Sequence, residues 1–374
     1  MTVTSLGESG VESARKPVTD LADLRIIRAL QVAPRASFAR IAAVLGLSEH
    51  GVARRYGALR RAGVLRVFGA VDPATAGENS WGVRVLCRPD SAEALASALA
   101  QRADIAWVVI AAGGSEVAFA IRSLSAEQRD ILLTRRLPRA THVLSVEAWV
   151  VLHYFVGQQS DDWGGLAHHL DAEETDALRA ATPAVPPRRT ARPRQLEPVD
   201  EAITAVLARD GRASYAELAV AAGISEGRVT RRLAMLLESG TVHLDMDVAL
   251  AALGYTAKAH LHMQVSPARL HETGQLLADL AEVAFAGARS GRHNLVATVV
   301  CRDLADLYSF VTRRIGQLEG VQTLEISPVH RLIKQAGTWT DDDRLLDPPP
   351  APRRSRPGVV SSPAAASGRS EDPA

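Results

Sequence analysis

The chain contains the same helix-pair sequence twice. Residues 37–63 read SFARIAAVLGLSEHGVARRYGALRRAG, and residues 214–240 read SYAELAVAAGISEGRVTRRLAMLLESG. Matching serine, glycine and arginine positions are separated by 177 residues throughout, as in Ser37 with Ser214 and Arg54 with Arg231. A constant separation across a whole helix pair indicates duplication, so the chain is expected to fold as two copies of one unit.

Each copy predicts a helix-turn-helix. In the first, Ser37 is suited to cap a helix that ends at Gly46, where a left-handed residue is needed, and Ser48 is suited to cap the next helix. Apolar residues recur on one face of that second helix, which leaves arginines on its outer face. Gly63 and Gly240 each precede apolar residues that predict a wing hairpin.

Arginines on a helix are most often a solvated face, but a capped helix that follows a tight turn is also how a helix-turn-helix enters the major groove. The repeated Ser-Glu at the helix start and the wing signals favour DNA binding. The candidate DNA-contacting residues are Ser37, Ser48, His50, Arg54, Arg55, Arg60, Ser225, Arg228, Arg231 and Arg232.

Charge is unevenly divided between the copies. Residues 20–70 hold nine arginines and three acids, whereas residues 197–247 hold five arginines and nine acids. Because neutralised phosphates supply most non-specific affinity for DNA, we expect the first unit to bind DNA more strongly than the second.

Composition sets the broader class. The 374 residues with 47% hydrophobic content are sufficient for several packed cores. Cys87 and Cys301 lack the spacing of a metal site or disulfide framework, and we expect reduced core thiols. The N-terminus has no apolar signal region and no stretch is long enough to span a membrane, so we expect a cytoplasmic protein with no membrane partner.

Each helix pair is followed by a β-α-β-β-α-β pattern. In the first copy, strands are predicted at 81–88, 105–112, 116–121 and 143–152, with helices at 91–99 and 126–137. This order is that of a ferredoxin-like domain. Its two helices cover one face of the sheet, so we expect the other face to stay apolar and to pair with a second domain, either of the same chain or of another.

The turns between the second and third strands of each α/β domain are candidate small-molecule sites. Glycine there allows a ligand to approach the backbone, and open N–H groups can bind a carboxylate; the alternative is a glycine needed only for hairpin geometry. The candidate effector-binding residues are Gly113, Gly114, Ser115, Glu116, Gly291, Arg292, His293 and Asn294.

His260, His262 and His293 raise the question of a metal. The first two alternate on one strand face, but no cysteine or carboxylate shares their spacing, and paired strand histidines are more often interface residues. We therefore expect no metal and no cofactor.

The segment from Asp23 to Leu30, the helix pair that follows it, Asp72-Pro73 and Gly77 resemble the Lrp/AsnC (feast/famine) transcriptional regulators. The likeness covers about 20–155 and 196–336, with Asp247 to Leu253 replacing the Asp-Pro in the second half. It implies a tandem fusion of two subunits, each a winged helix-turn-helix joined to an α/β effector domain. It also implies double-stranded DNA and an amino acid or similar effector as partners, and homo-oligomerisation through the α/β domains.

In the resembled family a Gly-x-x-Asp at the candidate turn lies beside the effector. Here the matching residues are Gly113 with Glu116, and Gly291 with Asn294, which changes the length or charge of the polar group.

The sequence thus predicts an α+β chain with two winged helix-turn-helix units and two ferredoxin-like domains. The predicted segments are 1–19 (disordered arm), 20–71 (winged helix-turn-helix 1), 78–155 (effector domain 1), 156–195 (linker), 196–247 (winged helix-turn-helix 2), 254–336 (effector domain 2) and 337–374 (disordered tail).

Two functions follow from the resemblance. The first is a sequence-specific, non-enzymatic DNA-binding regulator that responds to a small metabolite. The second is a tetrapyrrole (sirohaem-type) decarboxylase, because Lrp-like chains also occur as such enzymes with relic DNA-binding units. The basic first unit favours the regulator, and the acidic second unit and its histidines agree mildly with the enzyme.

Overall fold

A computed structural model describes residues 19–72, 80–122, 125–157, 163–180, 196–336, 338–341 and 344–346. The predicted N-terminal arm up to residue 18, the proline-rich part of the linker and the tail beyond residue 346 lie outside these residues. Within the described ranges, no helix combines the length and the apolar character that crossing a bilayer requires.

Three helices form the first helix-turn-helix, and their ends follow the sequence signals. They are α1 (Leu21–Val32), α2 (Phe38–Leu45) and α3 (Glu49–Arg61). The Ser37 side chain accepts a hydrogen bond from the Arg40 amide, and Ser48 accepts one from Gly51. Gly46 ends α2 at φ 66°, in the left-handed region that glycine enters without a Cβ clash.

The second helix-turn-helix repeats this arrangement with α7 (Pro198–Leu207), α8 (Tyr215–Ala222) and α9 (Glu226–Glu238). Ser214 and Glu217 form a reciprocal capping box, and Gly223 ends α8 at φ 65°. Ser225 precedes α9 in extended conformation but makes no side-chain capping hydrogen bond, unlike its counterpart Ser48.

The predicted hairpin within each wing is wrong for the described residues. Over these residues one strand follows each helix-turn-helix, β1 (Leu65–Val71) and β6 (Val242–Val248), and the two strands pair with each other as an antiparallel ribbon. Phe68 lies opposite Asp245, its counterpart 177 positions later, so the register centres on equivalent residues. The ribbon therefore relates the two units by an approximate two-fold axis, as in an isologous dimer interface.

Both α/β domains have the predicted β-α-β-β-α-β order, with some shifted ends. The first comprises β2 (Trp81–Cys87), α4 (Ala92–Ala100), β3 (Ile105–Ala111), β4 (Glu116–Ile121), α5 (Ala126–Asp130) and β5 (Val143–Val156). The second comprises β7 (Ala257–Val265), α10 (Leu270–Ala278), β8 (Val283–Arg289), β9 (Leu295–Cys301), α11 (Leu304–Arg313) and β10 (Val321–Gln335). The predicted helix 126–137 continues after α5 as a π-helical segment, Ile131–Arg136.

The two α/β domains of the chain pair with each other. Strand β5 pairs with β2 in its first part and with β8 of the second domain in its last part. Strand β10 likewise pairs with β7 and then with β3 of the first domain. These two long strands join eight strands into a closed barrel, β10-β3-β4-β2-β5-β8-β9-β7 and back to β10. The sequence left open whether the domains pair within one chain or between chains, and the structure shows pairing within the chain.

Parts of the predicted linker and tail are ordered. After β5, the side chains of Trp163, Leu166 and Leu170, with Leu178 of α6 (Ala172–Arg179), are buried in the core of the first helix-turn-helix. Strands β11 (Thr338–Asp341) and β12 (Arg344–Leu345) form a hairpin on β10, and the Leu345 amide donates to the Gly63 carbonyl at 2.9 Å. The disordered tail predicted from residue 337 is therefore ordered over 338–341 and 344–346, because apolar Leu345 finds a buried position beside the first unit.

Candidate DNA interface and barrel interior

The outer faces of α3 and α9 carry exposed polar side chains. In α3 and its cap these are Ser48, His50 and Arg54; in α9 and its cap they are Ser225, Arg228 and Arg231. Val52, Tyr56 and Leu59 on the opposite side of α3 are buried, as are Val229, Leu233 and Leu236 on α9. Amphipathic packing thus leaves equivalent polar faces, including the matched pair Arg54 and Arg231, open in both units.

The adjoining arginines have another role. Arg55 donates to Asp20 and Asp23 at the start of α1, each at 2.8 Å. Arg232, the counterpart of Arg55, donates to Asp200 from Nε at 2.5 Å and from Nη2 at 2.8 Å. The Asp200 side chain has no solvent exposure, so Arg232 compensates a buried charge. These two sequence-predicted DNA contacts are engaged in duplicated ion pairs that bind the recognition helix to the first helix of its own unit.

A further predicted contact and two neighbouring arginines connect the two units. Arg60 forms an ion pair with Asp210 of the second unit at 2.5 Å. Arg35 donates to the carbonyls of Gly211 and Ala213 at 2.8 and 3.0 Å. Its counterpart Arg212 donates to those of Pro34 and Ala36 at 2.6 and 2.9 Å. The four acceptors are themselves two equivalent pairs, so the contact is reciprocal about the two-fold axis of the β1–β6 ribbon.

The first candidate effector turn is tight and leads into a buried carboxylate. Gly113 and Gly114 have φ values of 66° and 92°, and the Ser115 hydroxyl donates to the Ala112 carbonyl at 2.8 Å. Glu116 follows with no solvent exposure and accepts from Arg84 Nε at 2.6 Å and from the Ser327 hydroxyl at 3.0 Å. Glu116 therefore points into the barrel, where it meets a residue of the second domain.

In the second candidate turn, some residues are exposed to solvent and others make contacts within the domain. Gly291 has φ 102°, and Arg292 beside it is exposed. Asn294 exchanges two hydrogen bonds with the backbone of Val265, at 2.8 and 2.7 Å, so its amide fixes the end of β7. His293 is mostly buried, and its Nε2 lies 3.9 Å from a carboxylate oxygen of Glu325.

Five charged side chains connect the two domains inside the barrel, and we call them the interior charge cluster: Arg84, Glu116, Glu147, Arg289 and Glu325. Arg84 forms ion pairs with Glu116 and with Glu325 of the other domain. Arg289 crosses in the opposite direction to Glu147, donates to the His293 carbonyl at 2.8 Å and lies 3.9 Å from the centroid of the Trp149 ring. Through Arg84 and Glu325 the cluster brings Glu116 and His293 of the two predicted turns to one site.

The expectation of an apolar inner face is wrong. Side chains alternate along each strand, and one set, such as Val83 and Val85 on β2, packs under the helices. The other set points into the barrel, and it contains the interior charge cluster. Burial lowers the pKa of Arg289, and the hydrogen bond from Arg84 lowers that of Glu325. A buried polar face is tolerated because opposite charges from the two domains neutralise each other.

Two histidines on β7 face the same interior. His262 is 2% exposed and His260 is partly buried, and their rings lie 6.4 Å apart between centroids. Burial lowers the pKa of each imidazole to about 3. Both rings are therefore neutral near pH 7. The third histidine that the sequence singled out, His293, has its ring centroid 5.8 Å from that of His262.

Four members of the interior charge cluster were not predicted from the sequence: Arg84, Glu147, Arg289 and Glu325. A signal was present for three of them, because Arg84, Glu147 and Arg289 lie within mostly apolar strands. Glu147 and Glu325 also occupy equivalent positions, because Glu147 pairs with Arg84 on the neighbouring strand and Glu325 pairs with His262. A carboxylate that recurs at equivalent strand positions of both halves is better explained by an interior partner than by solvation.

Three family models match the chain. They are the AsnC-type helix-turn-helix domain at residues 14–60, a winged helix-turn-helix DNA-binding model at 196–243 and the Lrp/AsnC ligand binding domain at 258–339. The matches cover both helix-turn-helix units and the second α/β domain.

Individual relatives correspond to one unit. An uncharacterized HTH-type transcriptional regulator of Pyrococcus furiosus is 31% identical over 138 residues, which is 35% of this chain and 90% of that protein. The HTH-type transcriptional regulator LrpA of Pyrococcus horikoshii is 29% identical over 123 residues, which is 33% of this chain and 87% of LrpA. Each relative is thus aligned almost completely with about one third of the chain.

Among solved structures, the siroheme decarboxylase NirDL, in co-complex with an iron-uroporphyrin III analogue, superimposes with a TM-score of 0.57 at 14% identity. The match covers 85% of this chain and 93% of NirDL. At this identity the likeness concerns the fold alone, and it extends over both halves.

Proposed function

The chain belongs to the Lrp/AsnC family of transcriptional regulators, and from this premise we propose that it is a sequence-specific DNA-binding regulator in which one chain supplies both reading heads. The observation that supports this proposal most directly is the reciprocal contact of Arg35 and Arg212, which holds two helix-turn-helix units in two-fold symmetry. A two-fold pair of recognition helices reads an operator with two inverted half-sites.

The DNA-contacting residues in this proposal are the exposed members of the predicted set. Arg54 on α3, and Arg228 and Arg231 on α9, are exposed and can contact a DNA phosphate or a base edge. Ser48 and Ser225 mark the helix N-termini, which would face the DNA phosphates. Arg55 and Arg232 position these helices through their ion pairs. In this proposal the protein binds its operator DNA in the cytoplasm.

The proposed effector is a small metabolite, an amino acid or a related compound, bound where the two candidate turns approach the interior charge cluster. The open glycine backbone of Gly113 and Gly114 is available to a ligand carboxylate, and Arg292 is an exposed cation at the second turn. The cluster bridges both domains, so a ligand that binds one arrangement of its ion pairs better than another shifts the relation between the halves.

The test is selection of bound fragments from genomic DNA by the full chain, with and without an amino-acid pool. We expect enrichment of an inverted repeat and a change in its affinity when the pool is present. The double variant Arg54→Ala with Arg231→Ala is the matched control and should retain the fold while losing the enrichment. Absence of any enriched sequence with the parent chain would contradict the proposal.

A second candidate, a tetrapyrrole side-chain decarboxylase, is favoured by one observation. Arg84 and Arg289 lie with His260 and His262 inside the barrel, and guanidinium groups bind carboxylates well. Both arginines are, however, already paired with Glu116, Glu325 and Glu147, and the regulator therefore remains the proposal. Addition of a sirohaem-type tetrapyrrole distinguishes the two: the regulator should leave its visible absorption unchanged, and a saturable shift at one equivalent per chain would favour the enzyme.

A further inference from the structure

We infer that the barrel interior holds a binding site for one divalent transition-metal ion, formed by Glu116 of the first domain and His260 and His262 of the second. The site is separate from the DNA-contacting helices, and it shares Glu116 with the first candidate effector turn. It also revises the sequence-based expectation of no metal.

The three side chains converge because the barrel closes within one chain. Glu116 begins β4, whereas His260 and His262 alternate on β7, and their potential ligand atoms all lie within 4.8 Å of one another. The carboxylate that the sequence failed to find beside the histidines is therefore supplied from 144 or more positions earlier in the chain. Strand pairing of β10 with both β7 and β3 creates this proximity.

His262, the more buried of the two histidines, has a ring nitrogen without a hydrogen-bond partner among the described residues. His262 Nδ1 lies 3.4 Å from Arg289 Nη1, a long contact in which the guanidinium is the donor, whereas the buried Nε2 is the nitrogen without a partner in the described part of the chain. Metal binding at Nε2 moves the ring proton to Nδ1 and gives up this long contact, while Arg289 keeps its hydrogen bonds to Glu147 and to the His293 carbonyl. A buried imidazole nitrogen without a partner carries a desolvation cost that a hydrogen bond or a metal would offset. The neutral form of the ring, which burial favours, is also the form that binds metals.

Two hydrogen bonds already orient the carboxylate of Glu116. Each oxygen of Glu116 accepts one hydrogen bond, one from Arg84 and the other from Ser327. A carboxylate has about four acceptor positions, so coordination of an ion does not require either bond to be broken. Metal-binding carboxylates are commonly hydrogen-bonded in this way, since the outer groups fix their direction.

The donor set indicates the class of metal. Two imidazoles and one carboxylate suit Zn²⁺, Co²⁺, Ni²⁺ or Fe²⁺, whereas Ca²⁺ and Mg²⁺ prefer oxygen ligands throughout. Three protein ligands leave a coordination position for water or a small ligand. Because the ligands come from both domains, the bound ion would also connect the two halves of the barrel.

Cobalt is the practical probe, since Co²⁺ bound at a nitrogen and oxygen site has visible absorption. The full chain is freed of metal with a chelator and titrated with Co²⁺ alone, and the absorption change and the thermal unfolding temperature are recorded. We expect saturation at one Co²⁺ per chain, and an unfolding temperature that rises with free metal because only the folded state holds the site.

The variants are Glu116→Gln and His262→Gln, which keep the approximate size of each side chain. Each should weaken Co²⁺ binding at least about tenfold, as even outer-shell changes cost that much. The matched control is the double variant His168→Ala with His169→Ala, which removes another close histidine pair, with ring centroids 3.9 Å apart. It should bind as the parent does. Circular dichroism checks the fold, and Glu116→Gln alone decides the matter if His262→Gln does not fold.

Three results would overturn the inference. They are a parent chain without visible Co²⁺ absorption, a Glu116→Gln variant that binds as tightly as the parent, and a loss of binding confined to the His168/His169 control. None of these measurements depends on an operator or a metabolite. The metal site can therefore be refuted while the regulatory proposal stands, and the regulatory proposal can be refuted while the metal site stands.

Discussion

Arg35 and Arg212 occupy equivalent positions in the two halves of the chain, and each donates two hydrogen bonds to the backbone of the loop that holds the other. Arg212 also lies over the Phe38 ring, 4.5 Å from its centroid, and burial lowers its pKa. Because this charge-assisted contact is repeated by symmetry, it fixes the relative orientation of the two helix-turn-helix units.

Replacing Arg212 by alanine should therefore loosen the connection between the reading heads. We expect a loss of roughly 2 kcal/mol in unfolding free energy, from the lost charged hydrogen bonds. Relative to the parent, the variant should lose more affinity for an operator with two half-sites than for a single half-site. Urea unfolding and gel-shift titrations measure the two effects. Arg209→Ala, an exposed arginine of the same loop, is the control, and equal losses in both variants would refute this role.

Arg54 and Arg55 are adjacent but should respond differently to alanine substitution. Arg54 is exposed, so Arg54→Ala should lower the slope of log affinity against log salt by about one unit per phosphate contact and leave stability unchanged. Arg55→Ala removes the ion pairs with Asp20 and Asp23 and should instead destabilise the first unit. A salt titration on duplex DNA and a thermal melt of each variant separate these roles; matching salt slopes for the parent and Arg54→Ala would exclude a phosphate contact at Arg54.

Arg232 should matter for stability more than its neighbour. Because Asp200 is fully buried, Arg232→Ala removes the cation that is paired with this carboxylate and should cost about 3 kcal/mol or more of unfolding free energy. Arg231→Ala, on the exposed face, should cost less than about 0.5 kcal/mol. Denaturant midpoints of the two variants check this difference, and similar midpoints would show that Asp200 finds another partner.

Gly211 tests how closely the second unit packs on the β1–β6 ribbon. Its amide donates to Val67, and a Cβ on this residue would lie 2.8 Å from backbone atoms of Phe68. Gly211→Ala should destabilise the chain by about 1 to 3 kcal/mol, since backbone cannot move aside easily. Gly227→Ala is the control, because a Cβ in that position of α9 meets nothing within 4 Å and should stabilise by roughly 0.5 to 1 kcal/mol. A Gly211→Ala chain that melts with the parent would contradict the close approach.

Asp247 should make stability depend on pH. Burial raises its pKa to about 7, although Thr338 donates a hydrogen bond to it at 2.5 Å. The folded state therefore prefers the protonated acid: its contribution is complete below the ordinary pKa near 4 and is lost as pH rises toward 7. Asp247→Asn removes this dependence, so its advantage over the parent should grow by roughly 2 to 3 kcal/mol between about pH 5 and pH 8. Urea midpoints at both pH values provide the measurement, and a constant difference would show that Asp247 titrates normally.

The sequence by itself determined the units of this protein. Helix caps such as Ser37 and Ser48, the left-handed Gly46 and Gly223, and the alternation along the strands are local signals, set by backbone geometry and by burial of one face. They predicted both helix-turn-helix units and both β-α-β-β-α-β domains, because duplication repeats every local signal. The Lrp/AsnC resemblance rested on the same residues and is confirmed by the matching family models.

Only the tertiary structure decided how the units meet. The pairing of β1 with β6 and the crossing of β5 and β10 between domains join residues far apart in sequence, and periodicity within one strand is the same whichever partner it has. The same limit applies to side chains: Arg54 and Arg55 look alike as neighbours on a helix, and Glu116 carries no sign of His262. Which charge faces water and which is buried against an opposite charge depends on contacts between residues that are distant in sequence. Arg55 meets Asp20 and Asp23 within its own unit, and Glu116 meets Ser327 across the two domains, and these contacts exist only in the folded chain.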